Sequence, residues 1–173
     1  TFFARWLLES AKQRGFATAE VQISETETPL HRLETIYRRV TENLATEATA
    51  PSAFREVIDE WLRVLEEDAV VAGADTGDRD TLTDRTQQLL DQRLAEVSRS
   101  APAFAAALRG YHAATSRGDI ETADGLIAWL GGQPHVAAAT RRGAGIRGDL
   151  DHFGAFGFIQ GLLAVLRDAD YRG

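Results

Sequence analysis

Phe16-Ala17-Thr18-Ala19-Glu20-Val21-Gln22-Ile23 is the stretch on which the fold turns. Small and branched residues (Ala17, Ala19, Val21, Ile23) alternate with more polar ones, which is the two-residue period of a β-strand. On its N-terminal side Phe3, Leu7 and Ala11 recur at four-residue spacing and Trp6 widens the stripe, so Phe2 to Arg14 reads as a helix. Gly15 is placed to close that helix in a left-handed conformation. No other segment has a comparable strand signal. A lone strand cannot satisfy its own backbone groups, so ladder partners for 16–23 are expected from outside this chain or from a second copy.

Downstream the pattern is helical. Ser24 to Thr28 is an acidic, hydroxyl-rich loop, and Thr28-Pro29 offers an N-cap followed by proline in the first turn. Leu30, Leu33, Tyr37, Val40 and Leu44 then carry an apolar stripe through Thr46. Ser52 is positioned to cap a helix bearing Phe54, Ile58, Trp61, Leu62 and Leu65. After the polar loop Gly73 to Asp78, helices are expected over 83–98, 102–115 and from the Asp119 cap to Leu130. Gly131-Gly132-Gln133-Pro134 is a turn. Residues 135–142 form a short helix, 143–148 a loop and 153–169 the last helix, with Asp151 as its N-cap. The fold class is predominantly α with one clear β-strand.

The 173 residues are 44% hydrophobic and 26% charged, the balance of an ordinary globular chain with room for a sizeable core. There is no cysteine for a disulfide or thiolate metal site, which makes a reducing cytoplasm the default location. Apolar runs such as Gly161 to Leu166 are far below the ~20 residues of a membrane span, so no membrane association is expected. A net charge of −7 argues against a nucleic-acid grip spread over the whole surface but leaves room for a local basic patch. The chain opens on Thr1 and contains no methionine, which suggests a segment of a longer protein.

Gly143-Ala144-Gly145-Ile146-Arg147-Gly148 fits G-x-G-x-x-G. Dinucleotide-binding glycines must follow a strand and open an apolar helix. Here they follow a helix-like run and lead into Asp149-Leu150-Asp151, so a loop is the better reading. Arg141, Arg142 and Arg147 flank the glycines without adjacent acids. They fit either a solvated helix end, where cations complement the dipole, or a phosphate contact suited to guanidinium forks. His31, His112, His135 and His152 lack ligand spacing, and Asp149, Asp151 and His152 are explained by the Asp151 cap, so no metal is expected. No serine elbow or catalytic carboxylate pair is evident.

Four stretches together resemble the ATP-binding proteins of bacterial BREX phage-defence systems, the BrxC/BrxD-type P-loop family. Thr1-Phe2-Phe3-Ala4-Arg5-Trp6-Leu7-Leu8 resembles the helix after a Walker A motif. Ile23 to Glu34, continuing through Ile36-Tyr37-Arg38, is similar to the exit of the second strand and its following helix. Ile127 to Gly132, with Gly145 to Gly148 close behind, resembles a later helix ending, and Leu163 to Gly173 the approach to the Walker B strand. Residues 46–100 contribute little.

The resemblance implies an incomplete part of an α/β, AAA+-like P-loop domain. Residues 1–45 would be the post-Walker-A helix, second strand and following helix; 46–173 would be a helical insertion leading to Walker B. Thr1 would ligate Mg²⁺ through its hydroxyl, and Glu25 and Glu27 would lie on a strand-end loop near nucleotide; a solvated loop is their alternative. The implied cofactors are ATP and Mg²⁺ in the full-length protein and none in this segment. The implied partners are other defence-system subunits and DNA, with homo-oligomerisation open. A reading from another class is a non-catalytic helical scaffold that recruits partners through the face bearing Trp61 or Trp129.

Overall fold

In the computed structural model, which describes residues 2–75 and 77–171, the alternating stretch contains a strand of two residues. Strand β1 (Thr18–Ala19) lies antiparallel to β2 (Leu44–Ala45), with Thr18 opposite Ala45 and Ala19 opposite Leu44. This corrects the expectation of a strand with no partner inside the chain. The partner was hidden because Leu44 continues a helical four-residue spacing, although the helix before it has already ended. Beyond Ala19, residues 20–23 make no ladder bonds among the described residues.

Around this ribbon stand nine helices among the described residues: α1 (Phe2–Lys12), α2 (Leu33–Glu42), α3 (Phe54–Val71), α4 (Arg79–Arg93), α5 (Ala95–Ser100), α6 (Pro102–Arg117), α7 (Ile120–Leu130), α8 (Ala138–Gly143) and α9 (His152–Asp168). The fold is thus mostly α with one small β element. Gly15 closes α1 at φ +80°, with Phe16 N–H donating back to Ala11 O at 3.1 Å. Asp119 caps α7 by accepting from Thr122 N, and Asp151 caps α9 by accepting from Gly154 N at 2.7 Å.

Two expected caps do not form. Thr28 bridges Ser24 across a tight turn and Arg32 N–H donates to Pro29 O, so α2 starts at Leu33 instead of at Pro29. Ser52 sits at φ +70° and its hydroxyl donates to Glu42 O, leaving α3 without a side-chain cap. The helix expected from 83 begins earlier because Asp78 accepts from Asp80 and Thr81 amides, and it breaks at Leu94 into α4 and α5.

The core converges on α9, which packs on α2, α3, α5 and α6. Phe158 is met edge-on by Tyr37, Phe104 and Trp129 at centroid distances of 5.5, 5.2 and 5.3 Å, the geometry favoured by aromatic quadrupoles. Trp61 and Trp129 are both buried. Trp61 donates to Asp168 Oδ2 at 2.7 Å and Trp129 to Gly148 O at 3.2 Å. Neither offers a recruiting face, which corrects that part of the scaffold reading.

Two glycines allow the close approach of α9. A Cβ at Gly157 would stand 3.1 Å from Ser100 O, and one at Gly161 would stand 2.6 Å from the Phe104 ring. Replacing Gly161 by alanine would gain about 1 kcal/mol of helix propensity. Phe104, fully buried against Phe158, has no room to yield. Overpacking costs about 1–3 kcal/mol and should win. Gly161→Ala is therefore expected to lower the urea midpoint of unfolding.

Within α6, His112 is almost wholly buried. Its Nδ1 lies 3.5 Å from Gln87 Oε1, while its Nε2 has no hydrogen-bond partner and stands 4.0 Å from Glu66 Oε1. Burial holds this imidazole below its ordinary value of 6.5, and burial holds Glu66 above its own. A histidine depressed in the fold contributes stability that is full above 6.5 and is lost as pH falls below it. Glu66 acts oppositely, gaining stability as pH falls through its raised value. In Glu66→Gln protein, unfolding titrations should show stability declining below pH 6.5. Adding His112→Gln should flatten that decline.

Candidate functional site

A polar cleft of about 420 Å³ forms where the approach to α2, the 131–134 turn and the approach to α9 meet. Its charged lining comes from Glu27, Arg32, Glu34, Arg38, Asp149 and Asp151, with His152 beside them. The Ser24–Thr28 turn positions Glu27, because Ser24 Oγ accepts from both Glu27 and Thr28 amides at 3.0 and 3.2 Å. Thr28 and Pro29 are buried below it. Glu25, on the same turn, is exposed and outside the cleft lining.

The basic side of the cleft is largely compensated. Arg32 Nε lies 3.1 Å from Glu34 Oε1, and Arg38 Nε lies 3.8 Å from Glu42 Oε1. The second Glu34 oxygen is buried without a hydrogen-bond partner. The acids Glu27, Asp149 and Asp151 face these guanidinium groups across one small volume. Such a site can hold and orient a ligand or side chain carrying charge of either sign, but it contains no nucleophile held against a base. A larger groove of about 830 Å³, lined by Phe16, Val97, Leu163, Leu166 and Tyr171 among others, contains none of the candidate site residues Glu25, Glu27, Arg141, Arg142 and Arg147.

The glycine-punctuated loop is anchored. Helix α8, not a strand, precedes it, and Ile146 is buried in the core with its N–H donating to Arg141 O at 2.8 Å. Gly145 and Gly148 both adopt φ +72°, which the turn requires and which glycine accepts without strain. A dinucleotide site of the strand–loop–helix kind is therefore not present here.

The three arginines separate. Arg141 donates to Val136 O at 3.1 Å and pairs with Asp149 at 3.3 Å, with its side chain 18% exposed. That corrects the expectation that all three lack a nearby acid: the loop folds back and brings Asp149 to Arg141. Arg142 and Arg147 are exposed and have no ion-pair partner among the described residues. Thr1 lies outside the described residues. Asp151 is occupied as the α9 cap, and the described residues contain no group of three or more His, Asp or Glu arranged for a metal ion.

The cleft thus joins Glu27, from the second resembling stretch, to the loop that follows the third. Over residues 1–173 the chain matches the family model described as BREX system ATP-binding protein BrxC/D. The chain belongs to the BrxC/D family. No curated protein and no solved structure matches it. For this BrxC/D-family chain, Arg32, Arg38 and Glu34 are the cleft residues that residue patterns alone did not single out. Their one sequence signal was the i,i+4 spacing of Arg38 and Glu42.

Arg141→Ala should cost about 1–2 kcal/mol, as expected for hydrogen bonds from a charged, mostly buried donor. Arg142→Ala and Arg147→Ala should each stay within about 0.5 kcal/mol. Urea denaturation of the three single variants distinguishes a loop clamp from two free surface cations.

Proposed function

We propose that this chain is part of an ATP-binding subunit of a BREX phage-defence system, contributing the helical portion of a P-loop domain rather than a self-sufficient catalytic site. The family match over residues 1–173 carries this reading. No G-x-x-x-x-G-K occurs in the 173 residues, so the glycines and lysine that would cradle phosphates are not among them. On this reading Thr1 contributes its hydroxyl to Mg²⁺ in the full-length protein. Glu25 and Glu27 sit on the loop facing the nucleotide, with residues 46–173 as a helical insertion. The partners are other subunits of the defence system and DNA, and the setting is the cytoplasm; no helix of the described residues is long and apolar enough to cross a membrane.

Arg142 and Arg147 are the residues offered for phosphate contact, with DNA or with nucleotide on a neighbouring subunit. Their exposure and lack of an acidic partner, in a chain of net charge −7, support this role. Arg141 holds the loop that presents them. The scaffold reading survives only without its tryptophan face, since Trp61 and Trp129 are core residues.

Purified 1–173 is expected to show no Mg²⁺-dependent ATP turnover; robust turnover would overturn the reading. In the full-length protein, Arg142→Ala/Arg147→Ala should leave folding intact. If the contact is DNA, the slope of log K against log salt should flatten by about one unit per arginine engaged. If the contact is nucleotide, ATP turnover should fall while DNA affinity holds. Unchanged salt slope and turnover would make both arginines a solvated helix end.

A further inference from the structure

The crevice where α3, α4 and α6 meet carries charges of both signs that do not pair with each other. A cavity of about 280 Å³ is lined there by Glu66 of α3, by Arg79, Leu82 and Thr83 of α4, and by Thr115 and Ser116 of α6. Arg79 is exposed and has no ion-pair partner among the described residues. Glu66 is matched among them only by His112, whose Nε2 stands 4.0 Å from Glu66 Oε1.

The other polar groups of the crevice present acceptors. The Thr115 and Ser116 hydroxyls donate to His112 O at 2.8 and 2.9 Å, so their hydrogens are spent within α6 and their lone pairs remain for the cavity. One turn back on the same helix, His112 is 1% exposed and its Nε2 lacks a hydrogen-bond partner. With Nδ1 donating to Gln87 Oε1 at 3.5 Å, Nε2 keeps its lone pair. Two acceptors 4.0 Å apart are too distant to bond directly, and a single donor can serve both.

We infer that this cavity binds a free α-amino acid. Its ammonium goes to Glu66 and the Thr115 and Ser116 oxygens, with His112 Nε2 as the most buried acceptor. Its carboxylate goes to Arg79, and its side chain lies against Leu82. An ammonium group has three donors and no acceptor, which suits the acceptor set, and a guanidinium fork suits a carboxylate. A simple cation would meet Arg79 and a simple anion would meet Glu66, whereas a zwitterion satisfies both. The volume lies at the small end of ligand pockets, roughly 300–1,000 Å³, and so selects a ligand of amino-acid size. The inference stands apart from the nucleotide reading.

Calorimetric titration of the 173-residue chain with L-valine at neutral pH and low salt tests it. Saturable binding is expected, with the His112 imidazole resonances shifting in a parallel NMR titration. Isobutylamine and isovalerate, each lacking one of the two charges, should bind at least about tenfold more weakly, as for loss of a charge-assisted hydrogen bond. Glu66→Gln and Arg79→Gln should each weaken L-valine binding by about the same factor with helicity retained, since both side chains reach solvent. Arg85→Gln, on α4 but outside the cavity lining, should leave binding unchanged. Absence of saturable binding at millimolar L-valine overturns the inference, as does equal binding of isobutylamine or an equal loss in all three variants.

Discussion

The end of α7 fixes how the rest of the molecule is joined. A helix terminus leaves its last carbonyls without intrahelical donors, and burying them unpaired costs on the order of a lost hydrogen bond each. Here the neighbouring helix supplies the donors. The Tyr37 hydroxyl donates to Leu130 O at 2.7 Å, and the Thr41 hydroxyl donates to Gly131 O at 2.7 Å. Both side chains are one turn apart on α2 and both are buried, so α2 can dock in one position only. Removal of either hydroxyl would leave a buried acceptor without its side-chain donor.

The same joint sets the walls of the polar cleft. Tyr37 packs on Phe158 of α9, so α2, the end of α7 and α9 are locked together beneath the surface. Arg32 and Arg38 flank the Tyr37 anchor along the chain, Gly132 follows the capped carbonyls, and Asp151 begins α9. The cleft is thus a surface expression of a rigid packing node. Its charges are held at fixed separations by core contacts rather than by the loops alone, the condition a site needs to orient a ligand.

Much of the helical architecture was legible because its signals are local. Asp119 and Asp151 lie directly before apolar-periodic runs, and both cap as their positions suggest. What escaped depended on distant partners. Leu44 fits a helical stripe equally well as strand, and only its pairing with Ala19 decides the matter. Thr28-Pro29 is a good helix start until Ser24 takes Thr28 into a bridge. Glu27 of the cleft was visible as part of an acidic loop, whereas Asp149 of the cleft pairs with Arg141, eight positions away, at a spacing no regular element brings together. Burial of Trp61 and Trp129 was equally unreadable, because a tryptophan stripe has the same period whether it faces water or a core.

Asp168 has a mechanical consequence. Near the end of α9 one carboxylate accepts from the Trp61 indole on α3 and from the Arg93 guanidinium on α4, and Arg93 also reaches Asp68 on α3. The three helices therefore share a single knot at that end of the bundle. A displacement applied to the chain just beyond α9 would travel into α3 and α4 through directional bonds before any apolar contact had to slide. At its other end α9 borders the charged cleft through Asp151 and His152. The helix consequently runs from the charged cleft at its start to this three-helix knot at its end.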